Sequence, residues 1–142
     1  MLRLIGVVIV TLMISSSAVA LTAQEEAQLF AALYKVESNC GQNMVGDQGK
    51  AIGPYQIWFE YWKDATEFDS SIGGSYQDCY KKEYAEKVIR AYWRRYASAK
   101  RLSREASMED LARIHNGGPN GYRSTKTIKY WARVKACLSE KG

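Results

Sequence analysis

An aromatic or branched apolar residue at every fourth position, Tyr76, Tyr80, Tyr84, Val88, Tyr92 and Tyr96, most narrows what this chain can fold into. A four-residue step keeps side chains on one stripe of an α-helix, and the run is several times longer than an ordinary strand of about five to six residues. Ser75 with Asp78, just after Gly73-Gly74, supplies a start signal. The spacing predicts one long helix from about Tyr76 to Ala97.

Shorter signals flank it. Thr22-Ala23-Gln24-Glu25 reads as a capping box, and Leu29, Phe30, Leu33 and Val36 follow at helical spacing, so a first helix is expected to end near Glu37. Asn39, Gly41, Asn43, Gly46, Gly49, Gly53 and Pro54 cannot prolong that helix and predict a loop or small hairpin region. Tyr55 to Phe68 holds Trp58, Phe59, Tyr61 and Trp62 and predicts a short helix with turns around it. Ala99 to Arg104 reads as a polar, basic connector. Ser107 caps a helix bearing Met108, Leu111 and Ile114 that stops at Asn116-Gly117-Gly118-Pro119. Ser124 or Thr125 opens a last helix with Ile128, Trp131, Val134 and Leu138 facing inward. The expected architecture is mainly α, with about five helices, one small loop- or hairpin-rich insert after the first, and no internal repeats.

The N-terminus reads differently. Arg3, the apolar run Leu4 to Met13 and the small residues up to Ala18-Val19-Ala20 form a signal peptide, with cleavage expected after Ala20. The apolar run is short of the roughly 20 residues that span a bilayer, so stable membrane insertion is not expected. The expected domains are therefore residues 1–20, the signal, and 21–142, one catalytic domain secreted to the outside. Losing residues 1–20 removes Arg3 and no acid, which lowers the net charge from +5 to +4. A cationic exported protein is drawn to anionic surfaces such as bacterial walls. No dense Lys/Arg stripe interleaved with stacking aromatics points to nucleic acid. Cys40, Cys79 and Cys137 allow at most one internal disulfide, their pairing is open, and their spacing implies no metal site.

Two acids stand out. Glu37 lies at the end of the first helix, beside Phe30 and Leu33 around the axis, where a carboxyl group loses water and meets the negative end of the helix dipole. A carboxyl group so placed tends to keep its proton, as leaving-group protonation requires. Asp47 sits among Asn43, Gly46 and Gly49, where backbone N–H groups are expected to point at a carboxylate and keep it ionised. Asp64 and Asp69, close to the aromatic cluster, are rival acids.

These residues lie in a recognisable series. Lys35-Val36-Glu37-Ser38-Asn39-Cys40, Gly46-Asp47-Gln48-Gly49, Gly53-Pro54-Tyr55-Gln56-Ile57 and Tyr61-Trp62-Lys63-Asp64 are followed by Ser75-Tyr76-Gln77-Asp78-Cys79. Arg90-Ala91-Tyr92 through Arg95-Tyr96, the run Ala112-Arg113-Ile114-His115-Asn116-Gly117-Gly118-Pro119-Asn120-Gly121 and Tyr130-Trp131 to Cys137 come next. In this order they resemble the invertebrate-type lysozymes, or destabilase family, over nearly all of the mature chain. The His-Asn-Gly-Gly-Pro-Asn-Gly run is the most specific part.

The resemblance implies an α+β lysozyme-like fold and a retaining glycosidase that cleaves the β-1,4 bond between N-acetylmuramic acid and N-acetylglucosamine, with chitin-like oligomers as secondary substrates. It assigns the general acid to Glu37 and the second catalytic carboxylate to Asp47, which a retaining mechanism would hold about 5 to 5.5 Å apart. Tyr55, Gln56, Trp58, Tyr61 and Trp62 would lie along or under the cleft, at most two of them touching sugar, with Tyr55 and Gln56 nearest the scissile bond. The expected substrate-binding set is Tyr55, Gln56, Trp62, His115 and Asn116. No cofactor or metal is implied, and the protein is expected to act as a monomer. Two alternatives stay open: a cationic wall-binding protein with little turnover, and an isopeptidase using His115 with Ser38 or Ser124. The chain departs from the family in its cysteines, since Ile52 and Ala65 stand where cysteine would be expected.

Overall fold

Thr22 begins the first helix in the way its sequence implies. Its hydroxyl accepts the Glu25 N–H at 3.2 Å, and the Glu25 carboxylate accepts the Thr22 N–H at 2.7 Å, so two otherwise orphaned donors are satisfied. Such a cap stabilises a helix by about 1 kcal/mol. The computed structural model describes residues 20–140, and α1 spans Ala23–Ser38. The expected signal peptide thus lies outside the described residues, apart from Ala20. Among the described residues no helix is long and apolar enough to cross a membrane.

The glycine-rich stretch forms the expected insert, a three-stranded antiparallel sheet in the order β1 (Val45–Gly46), β2 (Ala51–Ile52), β3 (Ile57–Trp58). Val45 pairs with Ile52, and Ile52 in turn with Ile57. Gly53 makes the β2–β3 turn with φ 79°, and a Cβ there would come within 2.0 Å of the Cys79 carbonyl oxygen. Only glycine lets the sheet sit that close to the next segment. α2 (Phe59–Phe68) then follows β3 directly.

The long helix of the tyrosine pattern is two elements. Tyr76–Tyr80 is a 3-10 turn, Lys81 is extended with ψ 122°, and α3 runs over Lys82–Tyr96. The Asp78 carboxylate explains the break: it accepts the Ser75 N–H at 2.8 Å and the Lys81 ammonium at 2.8 Å, closing a tight cap before the α-helix begins. These contacts hold the Asp78 carboxyl down at about 2. The connector after α3 also differs from expectation. Ala99–Leu102 winds into a one-turn helix, α4, capped by Ser98, and Arg101 ties it to the Tyr96 and Pro119 carbonyls.

α5 (Met108–Gly117) and α6 (Ile128–Ser139) follow, so among the described residues there are six α-helices where about five were expected. Leu29, Leu33, Val88, Ile89, Ala112, Ile114 and Val134 are fully buried between α1, α3, α5 and α6. In α6, Trp131 and Leu138 pack at the edge of that core as expected, but Ile128 is 53% exposed. It precedes the buried Tyr130 by two residues, about 200° around the axis, and so faces away.

Candidate active site

Glu37 is the penultimate residue of α1, and the chain turns away immediately behind it. Asn39 and Cys40 adopt left-handed backbone (φ 50° and 58°). The buried Ser38 hydroxyl donates to the Tyr34 carbonyl at 3.1 Å and accepts the Gly41 N–H at 2.9 Å. The glutamate projects into a cavity of about 290 Å³ that it shares with Asp47, Gln56, Trp58, Tyr61, His115, Asn116 and Gly118. Its Oε1 accepts the Tyr130 hydroxyl at 2.5 Å and lies 3.4 Å from His115 Nε2. Burial, then the Glu37 charge, push the Tyr130 phenol well above its ordinary range, so it stays an O–H donor.

His115 is fastened on both sides. Nε2 lies 3.1 Å from the Tyr55 carbonyl oxygen, and Nδ1 lies 3.1 Å from the Tyr61 hydroxyl. A carbonyl can only accept, which assigns the hydrogen of the neutral ring to Nε2 and leaves Nδ1 to accept from Tyr61. Tyr61 can supply that hydrogen, because burial holds its phenol well above the ordinary range. It stacks on Tyr92 with ring centroids 3.6 Å apart. The ring of His115 thus braces the helical wall of the cavity. Ser38 is engaged with backbone, and the Ser124 hydroxyl accepts the Lys126 N–H at 3.3 Å; neither bonds to the imidazole.

The opposite wall comes from the sheet. Asp47 and Gln48 both have left-handed backbone (φ 47° and 58°) in the 3-10 turn between β1 and β2, a conformation that costs free energy for residues other than glycine. The Asp47 carboxylate accepts the Trp58 indole N–H at 3.2 Å. The donor is therefore a side chain on β3, where backbone N–H groups had been expected. Gln56 donates to the Asn43 and Gly53 carbonyls at 3.2 and 3.0 Å, closing the insert beneath the cavity. Its Oε1 lies where a Cβ on Gly46 would meet it at 2.1 Å.

Of the residues expected to bind substrate, Gln56, His115 and Asn116 line the cavity, and two others do not. Tyr55 is 0% exposed, its ring packs on Phe30 and Tyr34, and its hydroxyl donates to Glu86 at 2.7 Å. It is a core residue whose carbonyl, not its ring, serves the site. The Trp62 indole donates to the Tyr84 hydroxyl at 2.9 Å and packs against Phe59 and Tyr76, away from the cavity. The rival acids are engaged elsewhere: Asp64 accepts from the Tyr96 hydroxyl, and Asp69 pairs with Arg94. Tyr130 was visible in the sequence only as part of the resemblance; its contact with Glu37 spans most of the chain.

The family model described as Destabilase matches residues 26–137. The chain belongs to the destabilase family. It is 34% identical over 120 residues to Lysozyme 1 of Crassostrea virginica, covering 81% of this chain and 61% of that protein. It is 37% identical over 86 residues to the lysozyme of Magallana gigas, covering 59% of this chain and 58% of that protein. The chain spans about three fifths of the length of these two lysozymes. Other relatives bear the name invertebrate-type lysozyme. Its fold is similar to that of Meretrix lusoria lysozyme crystallised in complex with Aeromonas hydrophila PliI, with a TM-score of 0.65, 30% identity, and 77% of this chain and 87% of that one covered.

In this destabilase-family chain all three cysteines are free thiols. No disulfide joins them in the structure, where the sequence allowed at most one. Cys79 is buried, and burial, then the Asp78 charge, push its thiol up to about 12. Ile52 and Ala65, at two positions where the family would place cysteine, are themselves buried and fill the core with apolar surface.

Proposed function

We propose that the chain is a secreted muramidase that hydrolyses the β-1,4 bond between N-acetylmuramic acid and N-acetylglucosamine by a retaining mechanism. One observation carries this reading: Glu37 and Asp47, from a helix end and a sheet turn, line a single cavity, with the Tyr130 hydroxyl bonded to the first and the Trp58 indole to the second. Glu37 protonates the glycosidic oxygen as the bond breaks. Asp47 meets the positive charge at the anomeric carbon, as nucleophile or close electrostatic partner, and Glu37 then takes a proton from the incoming water. Tyr130 and His115 fix the direction of the Glu37 carboxyl group, while Gln56 and Asn116 contact the sugar. The names of the relatives, all lysozymes, support the same substrate class.

Digestion of purified peptidoglycan followed by mass analysis tests the proposal. Fragments with reducing muramic ends are expected. Anhydro-muramic ends would mean transglycosylation, and a bound wall without fragments would leave only a cationic binding protein. Glu37→Gln should lower hydrolysis by about 10²- to 10⁴-fold. N-terminal sequencing of the exported protein should begin at Leu21, and its mass in solution should be that of a monomer.

A further inference from the structure

Charge is unevenly spread along this chain. No Asp or Glu occurs between Lys87 and Glu105, nor between Asp110 and Glu140, while each stretch carries several Lys and Arg. The two stretches meet where Arg101 bonds the Pro119 carbonyl, next to Gly118 of the catalytic cavity. There guanidinium and ring alternate through Arg95, Tyr96, Arg101, Tyr122 and Arg123. The Arg95 and Arg101 guanidiniums lie 5.1 and 5.9 Å from the centre of the Tyr96 ring, and those of Arg101 and Arg123 lie 5.7 and 5.8 Å from that of Tyr122.

Among the described residues none of these three arginines is in a salt bridge. Neutral oxygens hold them instead. Arg101 donates through Nη1 to the Tyr96 and Pro119 carbonyls at 2.9 and 2.5 Å and through Nη2 to Asn120 Oδ1 at 2.8 Å. The same Asn120 oxygen accepts Arg123 Nη2 at 3.1 Å. Asp64 counters the Arg95 end, its carbonyl accepting Arg95 at 2.8 Å and its carboxylate the Tyr96 hydroxyl at 2.9 Å. At the Arg101 and Arg123 end two cations share one amide oxygen, a like-charge approach that an arriving anion relieves. A guanidinium has five N–H donors, and Arg101 commits three of them here and Arg123 one. Because the guanidiniums lie over both rings, the open feature is their N–H edge, which fits a carboxylate, rather than a face for stacking bases.

We propose that Arg101 and Arg123 bind a carboxylate of the peptide that muramic acid carries on its lactyl group. Position selects this occupant. The Gly118 carbonyl closes a tight turn on the Gly121 N–H at 2.8 Å, and Asn120 stands two residues beyond Gly118, about 7 Å away at most. A peptide branching from a sugar in the cavity spans that distance with two residues, whereas an unattached polyanion gains nothing from the closeness. The arginine pair thus favours wall glycan over chitin, whose sugars carry no carboxylate. The inference deepens the muramidase reading and rests on it.

Calorimetric titration of the Glu37→Gln protein tests it without turnover. The ligands are a tetrasaccharide of N-acetylglucosamine and peptide-bearing N-acetylmuramic acid, the same compound with its carboxylates converted to amides, and the N-acetylglucosamine tetramer. The native muropeptide should bind more tightly than its amide, and Arg123→Ala should weaken it about three- to tenfold while the other two ligands bind as before. Arg123 is exposed, so an unchanged melting curve is expected, and Arg123→Lys, which keeps the charge without the fork, should recover part of the loss. Equal affinity for muropeptide and amide, or muropeptide affinity that survives Arg123→Ala, overturns the inference and leaves the muramidase reading standing. A loss confined to poly(glycerol phosphate), titrated alongside, gives the pair to a phosphate polymer and overturns it equally. Absence of binding by every saccharide, together with an uncleaved wall, overturns both.

Discussion

The two walls of the cavity are built on different terms. The helical wall, Glu37, Tyr61, His115 and Tyr130, draws on four helices, with the Tyr130 hydroxyl bonded to the Glu37 carboxylate, the Tyr61 hydroxyl bonded to the imidazole, and imidazole and carboxylate 3.4 Å apart. The sheet wall, Asp47, Gln56 and Trp58, is set in two-residue strands, with left-handed backbone at Asp47 and Gln56 and one indole bond to the carboxylate. On the helical wall, holding the acid and holding the fold are the same task. At Asp47 and Trp58 on the sheet wall they separate, so substitutions of these two should change rate and leave stability nearly untouched.

Asp47→Asn is the strongest test of that separation. Hydrolysis of wall substrate should fall by about 10²- to 10³-fold, the scale of removing one preorganised charge contact from a transition state. The melting temperature should not move, because the side chain is on the surface turn; a large drop in Tm would erase the distinction between the walls. Tyr130→Phe probes the other wall. It removes the hydroxyl that bonds Glu37 and should cost about 2 kcal/mol in chemical denaturation, typical of a hydrogen bond to a charged group, together with roughly tenfold in kcat. A rate effect without a stability effect would contradict the joint role assigned to the helical wall.

The far end of α5, which carries His115, sharpens the contrast through pH. Asp110 is buried and opposed by its own burial, yet hydrogen bonds from Arg104 and Ser107 prevail and lower its pKa below the ordinary 3.8. A carboxyl group with a depressed folded pKa contributes stability above its unfolded value and loses it as pH falls through the folded one. Melting curves should therefore drop on acidification below about pH 4. Asp110→Asn should flatten that drop and cost about 1 kcal/mol near neutral pH, since Arg104 is half exposed and screened. Smallest is Trp58→Phe, which keeps a ring and deletes the N–H to Asp47. A few-fold loss in kcat is expected with stability unchanged within about 0.5 kcal/mol.

The helix boundaries were legible where a capping box stood in the sequence, as at Thr22-Glu25 and Ser107-Asp110, because those contacts are local. Glu37 and Asp47 were legible through the order of motifs around them, and the structure brings both to one cavity. The tyrosine pattern misled because its members do unlike jobs. Tyr76 pins strand carbonyls, Tyr84 accepts from Trp62, and Tyr92 stacks on Tyr61, so even spacing did not mean one continuous helix. Tyr55 misled for a related reason: following the catalytic loop in sequence does not decide which side of the backbone faces the cleft. The contacts Tyr130 to Glu37 and Trp58 to Asp47 depend on how α6 and β3 pack, and neither has a local signature.

The three unpaired thiols bear on how the protein can be made and handled. With no covalent tie to form, the polypeptide should reach its working shape in a reducing cytosol as readily as outside a cell, and dithiothreitol should leave its melting transition where it was. Its endurance against heat then depends on the interlocked tyrosines, tryptophans and aliphatic side chains of the interior, so enlarging or trimming those is the direct route to tuning it.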